Sequence, residues 1–253
     1  MCVKTISPLA LLSIFICQNN TAHAQSYKYE LGVNLGAYVY QGDLSPQRLG
    51  SFKTIRPGIG VSFGKPLSNT FSLRGIFNLA SLKGDEAKYS EPEYRQHRAF
   101  AFKTSVKELG LHLQYNILGN SEYWPTVEPY LFAGVSAAFI NTKKDAAAFD
   151  AEYFSETESA QIQQGLATDN AERTRRTVLN LPAGVGFRFN LNNNWAVSTE
   201  SNFRFGGSDY IDGFSQSVNP AKKDHFFSQN VGVVYRMGSG KGNKGKLGCP
   251  SVN

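Results

Sequence analysis

Leu31-Gly-Val-Asn-Leu-Gly-Ala-Tyr-Val39 alternates along its length: Leu31, Val33, Leu35, Ala37 and Val39 share one face, and Gly32, Asn34, Gly36 and Tyr38 the other. A period of two predicts an extended strand with one apolar side. The opposite side is glycine and polar, which is the wrong filling for a soluble core. Eight such segments occur, at about Tyr27–Tyr40, Thr54–Gly64, Thr70–Ser81, Phe102–Leu118, Thr126–Ile140, Thr177–Leu191, Trp195–Phe205 and Phe226–Met237. Pro57 and Pro182 fall inside two of them, where each removes a ladder donor, so bulges or strand ends are expected there.

The connectors alternate in length. Lys65–Asn69, Gly119–Pro125 and Asn192–Asn194 are short, while Gln41–Lys53, Leu82–Ala101, Asn141–Arg176 and Gly206–His225 are long and polar. Short turns on one side and long loops on the other are the pattern of an outer-membrane barrel, with both termini on the periplasmic side. Trp124 and Trp195 stand beside short turns, where indoles anchor an interfacial rim. A soluble β-sandwich also alternates, but strands of ten residues or more and unequal connectors favour the barrel. The expected fold is all-β: one eight-stranded antiparallel transmembrane barrel over residues 25–237, with side chains filling its interior.

Residues 1–24 read as a cleaved signal peptide. Lys4 opens it, Leu9–Cys17 is its apolar run, and Ala22-His23-Ala24 supplies a small-x-small site before Gln25. That run is too short to span a bilayer as a helix, and no later run reaches the length needed. The net charge of +6 is modest and, outside the C-terminus, scattered, which argues against a nucleic-acid patch. Of the three cysteines, Cys2 and Cys17 leave with the signal, so Cys249 remains alone in an oxidising compartment.

Arg56, Arg74, Glu108, Glu128, Arg188, Glu200 and Arg204 all fall on inner faces. Eight strands enclose only enough space for side chains, so these charges read as an ion-paired core, not a conduction path. A lipid hydrolase would need a Ser–His pair on one surface. His112 and Ser136 point inward, His97 and His225 lie in loops without a serine motif, and no metal-ligand spacing occurs. No enzyme activity, cofactor or metal is expected. The segment Asp145–Arg176 reads as a solvated loop, with a short helix around Ser159–Leu166 as the alternative.

Beyond Met237, residues 238–253 form a glycine-rich basic tail with Lys241, Lys244 and Lys246 ahead of Cys249. A flexible tether gives that thiol room to search for a partner beneath the barrel.

Several segments together resemble one family. Tyr29-Glu-Leu-Gly-Val, Tyr40-Gln-Gly-Asp-Leu44, Arg56-Pro-Gly-Ile-Gly, Glu128-Pro-Tyr-Leu-Phe-Ala-Gly-Val and Leu181-Pro-Ala-Gly-Val-Gly are five of them. Glu200, Arg204, Ser208-Asp209-Tyr210-Ile-Asp212 and the ending Cys249-Pro250 complete the set. The chain resembles a Bacteroidota outer-membrane β-barrel family that includes PorG of the type IX secretion and gliding machinery. The resemblance implies a non-enzymatic barrel among outer-membrane lipids that docks a periplasmic ring built from a PorK-like lipoprotein and a PorN-like partner. It makes Asp209, Tyr210 and Asp212 the most specific loop motif. Cys249, Pro250 and the tail lysines then become the candidate contacts to the ring, with an intermolecular disulfide through Cys249. The alternative is a stand-alone barrel that acts through its external loops in adhesion or envelope integrity.

Overall fold

The computed structural model describes residues 27–47, 50–119, 126–219 and 223–238. Eight strands, β1 (Tyr29–Gln41), β2 (Arg56–Pro66), β3 (Phe71–Asp85), β4 (Ala101–Asn116), β5 (Val127–Asp145), β6 (Arg175–Asn190), β7 (Trp195–Gly206) and β8 (His225–Met237), pair antiparallel in chain order. β1 pairs in turn with β8, so the sheet is a closed barrel. The expected all-β architecture is therefore the one found. Residues 1–24 and the tail residues Lys241, Lys244, Lys246, Cys249 and Pro250 lie outside the described residues, as does Trp124.

Every ladder keeps a single register. The seam, for example, runs in step from Tyr29↔Met237 to Gln41↔His225. Of the two prolines, Pro57 is the second residue of β2 and so stands at a strand end, as expected. Pro182 lies well inside β6 without a bulge. The β5–β6 pairing skips from Ala133↔Ala183 to Ser136↔Asn180 and resumes in the same register, so the missing donor opens the ladder without bending it.

The alternation sorts the side chains as the sequence implies. Leu31, Val33 and Leu35 of β1, Leu109, Leu111 and Leu113 of β4, and Val231 and Val233 of β8 are exposed on the outside. Glu30, Arg74, Glu108, Arg188, Arg204 and Arg236 are buried within. This is the inverse of a soluble protein, and it is stable where the solvent outside is hydrocarbon. Among the described residues no helix is long and apolar enough to cross a membrane, and the strands supply the span. Trp195 is exposed beside a short turn and packs on Tyr235 with ring centroids 4.7 Å apart.

The two ends of the barrel differ. One carries short turns; the other carries four connectors, 42–55, 86–100, 146–174 and 207–224, here loops 1 to 4. β3 and β5 run on through residues 82–85 and 141–145, which the sequence pattern assigns to loops, so β3, β4 and β5 rise together beyond their neighbours. Loop 2 holds a short helix, α1 (Tyr94–Arg98), and loop 3 a helix of 16 residues, α2 (Glu156–Ala171).

Candidate functional site

Inside the barrel the charges meet in three tiers. At the turn end Arg188 reaches Glu30 at 3.1 Å and Glu128 at 3.4 Å. Arg236 bridges the same two carboxylates, at 3.2 Å to Glu30 and 2.9 Å to Glu128. At mid-height Arg74 forms a two-pronged pair with Glu200, which also accepts the Tyr130 hydroxyl at 2.7 Å. Near the loop end the Arg204 Nε donates to both oxygens of Glu108 at 2.9 Å. Glu108 accepts further bonds from Asn78 at 2.9 Å and Ser136 at 2.8 Å. Four arginines thus balance four glutamates in these tiers. A buried pair survives only when its remaining hydrogen-bonding capacity is also met, and these carboxylates are ringed with donors.

Six of the seven interior charges expected from the sequence take part. Arg56 does not: it stands at the loop end of β2, opposite Tyr38, and makes no ion pair with a described residue. Glu30 and Arg236 complete the set instead. Alternation marks both, because an outward residue forces its chain neighbours inward: Glu30 directly precedes outward Leu31, and Arg236 directly follows Tyr235. Between the upper tiers a polar cavity of about 30 Å³, touching Asn34, His112 and Asn202, has room for only a water or two. His112 stacks on Phe132 with centroids 5.0 Å apart, and the Ser136 hydroxyl is committed to Glu108.

Over the mouth, the four loops build a cap, and Asp145–Arg176, expected as a solvated loop, joins it through α2, which contains the alternative short helix around Ser159–Leu166. Leu44 of loop 1, Phe100 of loop 2, and Ile211 and Phe214 of loop 4 are fully buried, with Phe149, Ile162 and Leu166 of loop 3 against them. Phe100 and Phe214 stack with centroids 4.7 Å apart. Charged and polar anchors hold this small core. Glu86 accepts from Arg95 Nη1 at 2.8 Å and from Arg98 Nε at 2.8 Å, and Arg95 also donates to the Asp43 carbonyl at 2.9 Å, tying loop 1 to loop 2.

Asp169, near the end of α2, is the second anchor. Its carboxylate accepts the backbone N–H groups of Ser215, Gln216 and Ser217 at 3.2, 3.0 and 3.0 Å, and the Ser217 hydroxyl at 2.6 Å. The approach is so close that a Cβ at Gly165 would stand 2.6 Å from the Gln216 carbonyl oxygen. Glycine in a helix interior costs about 1 kcal/mol relative to alanine, and contact with loop 4 is what demands it here.

The third anchor contains the loop motif. Asp212 is buried, and Tyr210 lies under the Arg176 guanidinium, 4.1 Å from its ring centroid. Asp209 is half-buried one residue before Tyr210. The Tyr40 hydroxyl stands 2.6 Å from Asp212 Oδ2 and 2.6 Å from Asp224 Oδ1. One phenolic proton serves only one of these contacts, so the other requires a proton on a carboxyl group. Burial, reinforced by the facing Asp224 charge, holds the Asp212 carboxyl well above the usual range. Burial also pushes Asp224 up to about 7, with the Asp209 charge adding to the shift against the Tyr40 hydrogen bond. Gly213 follows at φ +87°, where an added Cβ would strike the Lys144 side chain, so glycine is required at that position. The Ile211 carbonyl accepts Thr104 Oγ1 at 2.6 Å and Thr142 Oγ1 at 3.0 Å, which pins loop 4 inside the rim.

Asp169, Asp224 and Glu86 escape sequence reading because their partners are backbone groups, a distant strand residue, or arginines nine and twelve residues on with no periodic pattern to mark them. Tyr40 opens the segment Tyr40-Gln-Gly-Asp-Leu44, but nothing local announces its two carboxylate neighbours. The other two histidines among the described residues are similarly occupied: His97 of loop 2 pairs with Asp150 at 3.0 Å, and His225, expected in a loop but the first residue of β8, accepts the Gly206 N–H on Nδ1 at 3.0 Å. Among the described residues no three His, Cys, Asp or Glu side chains are grouped to hold a metal.

A family model described as "Domain of unknown function (DUF6089)" matches residues 9–235. No curated protein sequence matches the chain. Among solved structures, Ail, the attachment invasion locus protein of Yersinia pestis, in complex with the heparin analogue sucrose octasulfate, is 12% identical with a TM-score of 0.45, over 84% of this chain and 99% of Ail. Neisserial surface protein A is 13% identical with a TM-score of 0.46, over 83% of this chain and 97% of that one. The outer membrane protein OprG from Pseudomonas aeruginosa is 12% identical with a TM-score of 0.39, over 85% and 99%.

Proposed function

We propose that this chain, which belongs to the DUF6089 family through residues 9–235, is a non-enzymatic outer-membrane subunit of the type IX secretion and gliding machinery. Its task is to dock a periplasmic ring of PorK-like lipoprotein and PorN-like partner. The observation that carries this reading is closure at both levels: ion pairs fill the lumen and a packed cap covers the mouth. A barrel with no aqueous path and no exposed Ser–His pair among its described residues works by holding position and presenting its ends. Both termini then face the periplasm, with Cys249 as the covalent contact to the ring and Lys241, Lys244 and Lys246 as salt-sensitive ones.

Deletion of the chain tests the assignment, with secreted type IX cargo measured in the medium. Loss of cargo is expected; normal secretion overturns it. Non-reducing gels of membranes, with thiols blocked at lysis, should show a larger species that collapses with reductant and disappears in Cys249→Ser. The ordered cap favours a second reading, a stand-alone barrel that acts through its external loops in adhesion or envelope integrity. Normal secretion combined with impaired adhesion or a leaky envelope would select it.

A further inference from the structure

At its loop end the outer wall of the barrel carries lysine and arginine on one side only, among the described residues. Register places Lys83 directly opposite Lys103, and Lys103 directly opposite Lys143, on β3, β4 and β5. Alternation turns all three outward, and Lys103 and Lys143 are exposed. Like charges facing each other across strands are destabilising, so Lys103 and Lys143 face to face are a stored repulsion, with Lys83 beside them tied to Asp85. Below them Lys107 sits between Leu79 and Phe139, two residues from outward Leu109, and Arg175 pairs with Asn141 on the flank. Between the outer faces of β4, β5 and β6 lies a groove of about 1040 Å³ lined by Lys107, Phe139, Asn141, Arg173 and Arg175.

The carboxylates nearby neutralise this wall only in part. Asp85 is held by Lys83 at 3.1 Å and Glu172 by Arg176. Asp145, at the end of β5, accepts the Ala147 N–H at 3.0 Å. Lys103, Lys107, Lys143, Arg173 and Arg175 make no ion pair with a described residue. The far wall is different: the outward positions at the loop ends of β7, β8 and β1, among them Phe205, Phe227, Gln229 and Ala37, include no lysine or arginine.

We infer that the β3–β6 wall is a binding site for the phosphate groups of lipid headgroups in the leaflet at the long-loop end. Height decides the ligand. Lys107 is one outward position beyond the apolar belt. Lys143 is two outward positions beyond Phe139, about 13 Å along the strand and roughly 10 Å in height after strand tilt. The headgroup layer adds about 5–8 Å to each side of the hydrocarbon, so flexible lysine stems reach its phosphates. A soluble partner arriving from above would meet the cap first. The sideways-facing row meets the bilayer.

Spin-labelled phosphatidic acid and phosphatidylcholine, carried at trace level in phosphatidylcholine vesicles that hold the full chain, measure the preference directly. The fraction of each label immobilised on the barrel should favour phosphatidic acid roughly five- to tenfold. The variant Lys103→Gln/Lys143→Gln/Arg175→Gln should bring the ratio close to one while the barrel keeps its folded gel mobility. Lys65→Gln, at the turn end, should leave the ratio unchanged. Equal preference in wild type and triple variant would assign the effect to net charge and overturn the site. So would a lipid ratio of one in the wild type, including the case where the same three residues instead bind a soluble sulfated polysaccharide. Lipid preference is read without any secretion assay, so its failure is separate from failure of the secretion role.

Discussion

At the scale of single residues, the Asp212–Tyr40–Asp224 contact ties the cap to proton concentration. In an unfolded chain aspartates titrate near 3.9. In the folded loop both carboxyls hold protons more tightly, Asp224 up to about 7. The native state therefore binds more protons than the unfolded one as pH rises from about 4. Loop 4 loses stability over that window until the folded values are passed. Hydrogen exchange at residues 207–219, corrected for intrinsic rate, should be slower at pH 5 than at pH 8.5. Asp224→Asn should flatten that dependence, and a wild-type profile independent of pH would contradict the shared proton. The interior makes the opposite kind of demand. Glu108→Ala leaves Arg204 buried without its partner and should cost about 3–5 kcal/mol, read as a lower temperature for loss of the folded gel form. Glu108→Leu with Arg204→Met should cost much less, because no charge is stranded.

At the scale of elements, strands were legible and the cap was not. Leu109, Leu111 and Leu113 announce β4 because one face meets hydrocarbon and the other meets polar side chains, which writes a two-residue period into the chain. Inward Glu30 and Arg236 were readable by the same rule. Helix α2 writes a fainter signal, legible only as the alternative of a short helix around Ser159–Leu166, which falls inside it. Its buried positions, Ser159, Gly165 and Asp169 with Ile162 and Leu166 half-buried, recur at helical spacing but are small or polar. Gly165 and Asp169 face loop 4 backbone, which wants close approach and acceptors more than apolar area. A hydrophobic period cannot report a helix packed by hydrogen bonds; only the Ser155–Glu158 capping box marks its start. Asp169→Ala strips four bonds from loop 4 at once. Protease cleavage within residues 207–219 and 146–174 should then rise at least roughly tenfold at constant protease, while the barrel keeps its gel mobility. Gly165→Val should do the same by clash. Unchanged cleavage in both would mean the loops are held elsewhere.

At the scale of the whole molecule, the closed lumen and cap define a rod across the membrane with two dissimilar ends. The topology we propose puts the turn at residues 67–70 on the periplasmic side and loops 1 to 4 outside. A protease site inserted after Ser68 should resist cleavage from outside intact cells, whereas one placed in loop 3 after Asp150 should be cut; cleavage at the first site would invert the barrel. Closure itself carries a consequence in time. β1 and β8 are joined by register from Tyr29↔Met237 to Gln41↔His225, yet they are the first and last strands made. Seven of the eight ladders join neighbours in the chain. The eighth must wait for nearly the whole polypeptide and bears the largest loop-closure entropy. Arg236 arrives with that last strand and lands between Glu30 and Glu128, two carboxylates whose ion pairing in this tier rests until then on Arg188, with Asn190 donating to Glu128. The final strand thus delivers the fourth guanidinium and the seam in one event, so a chain released before Arg236 is left with an open edge and excess negative charge inside. Such a product advertises its own incompleteness to whatever surveys the envelope.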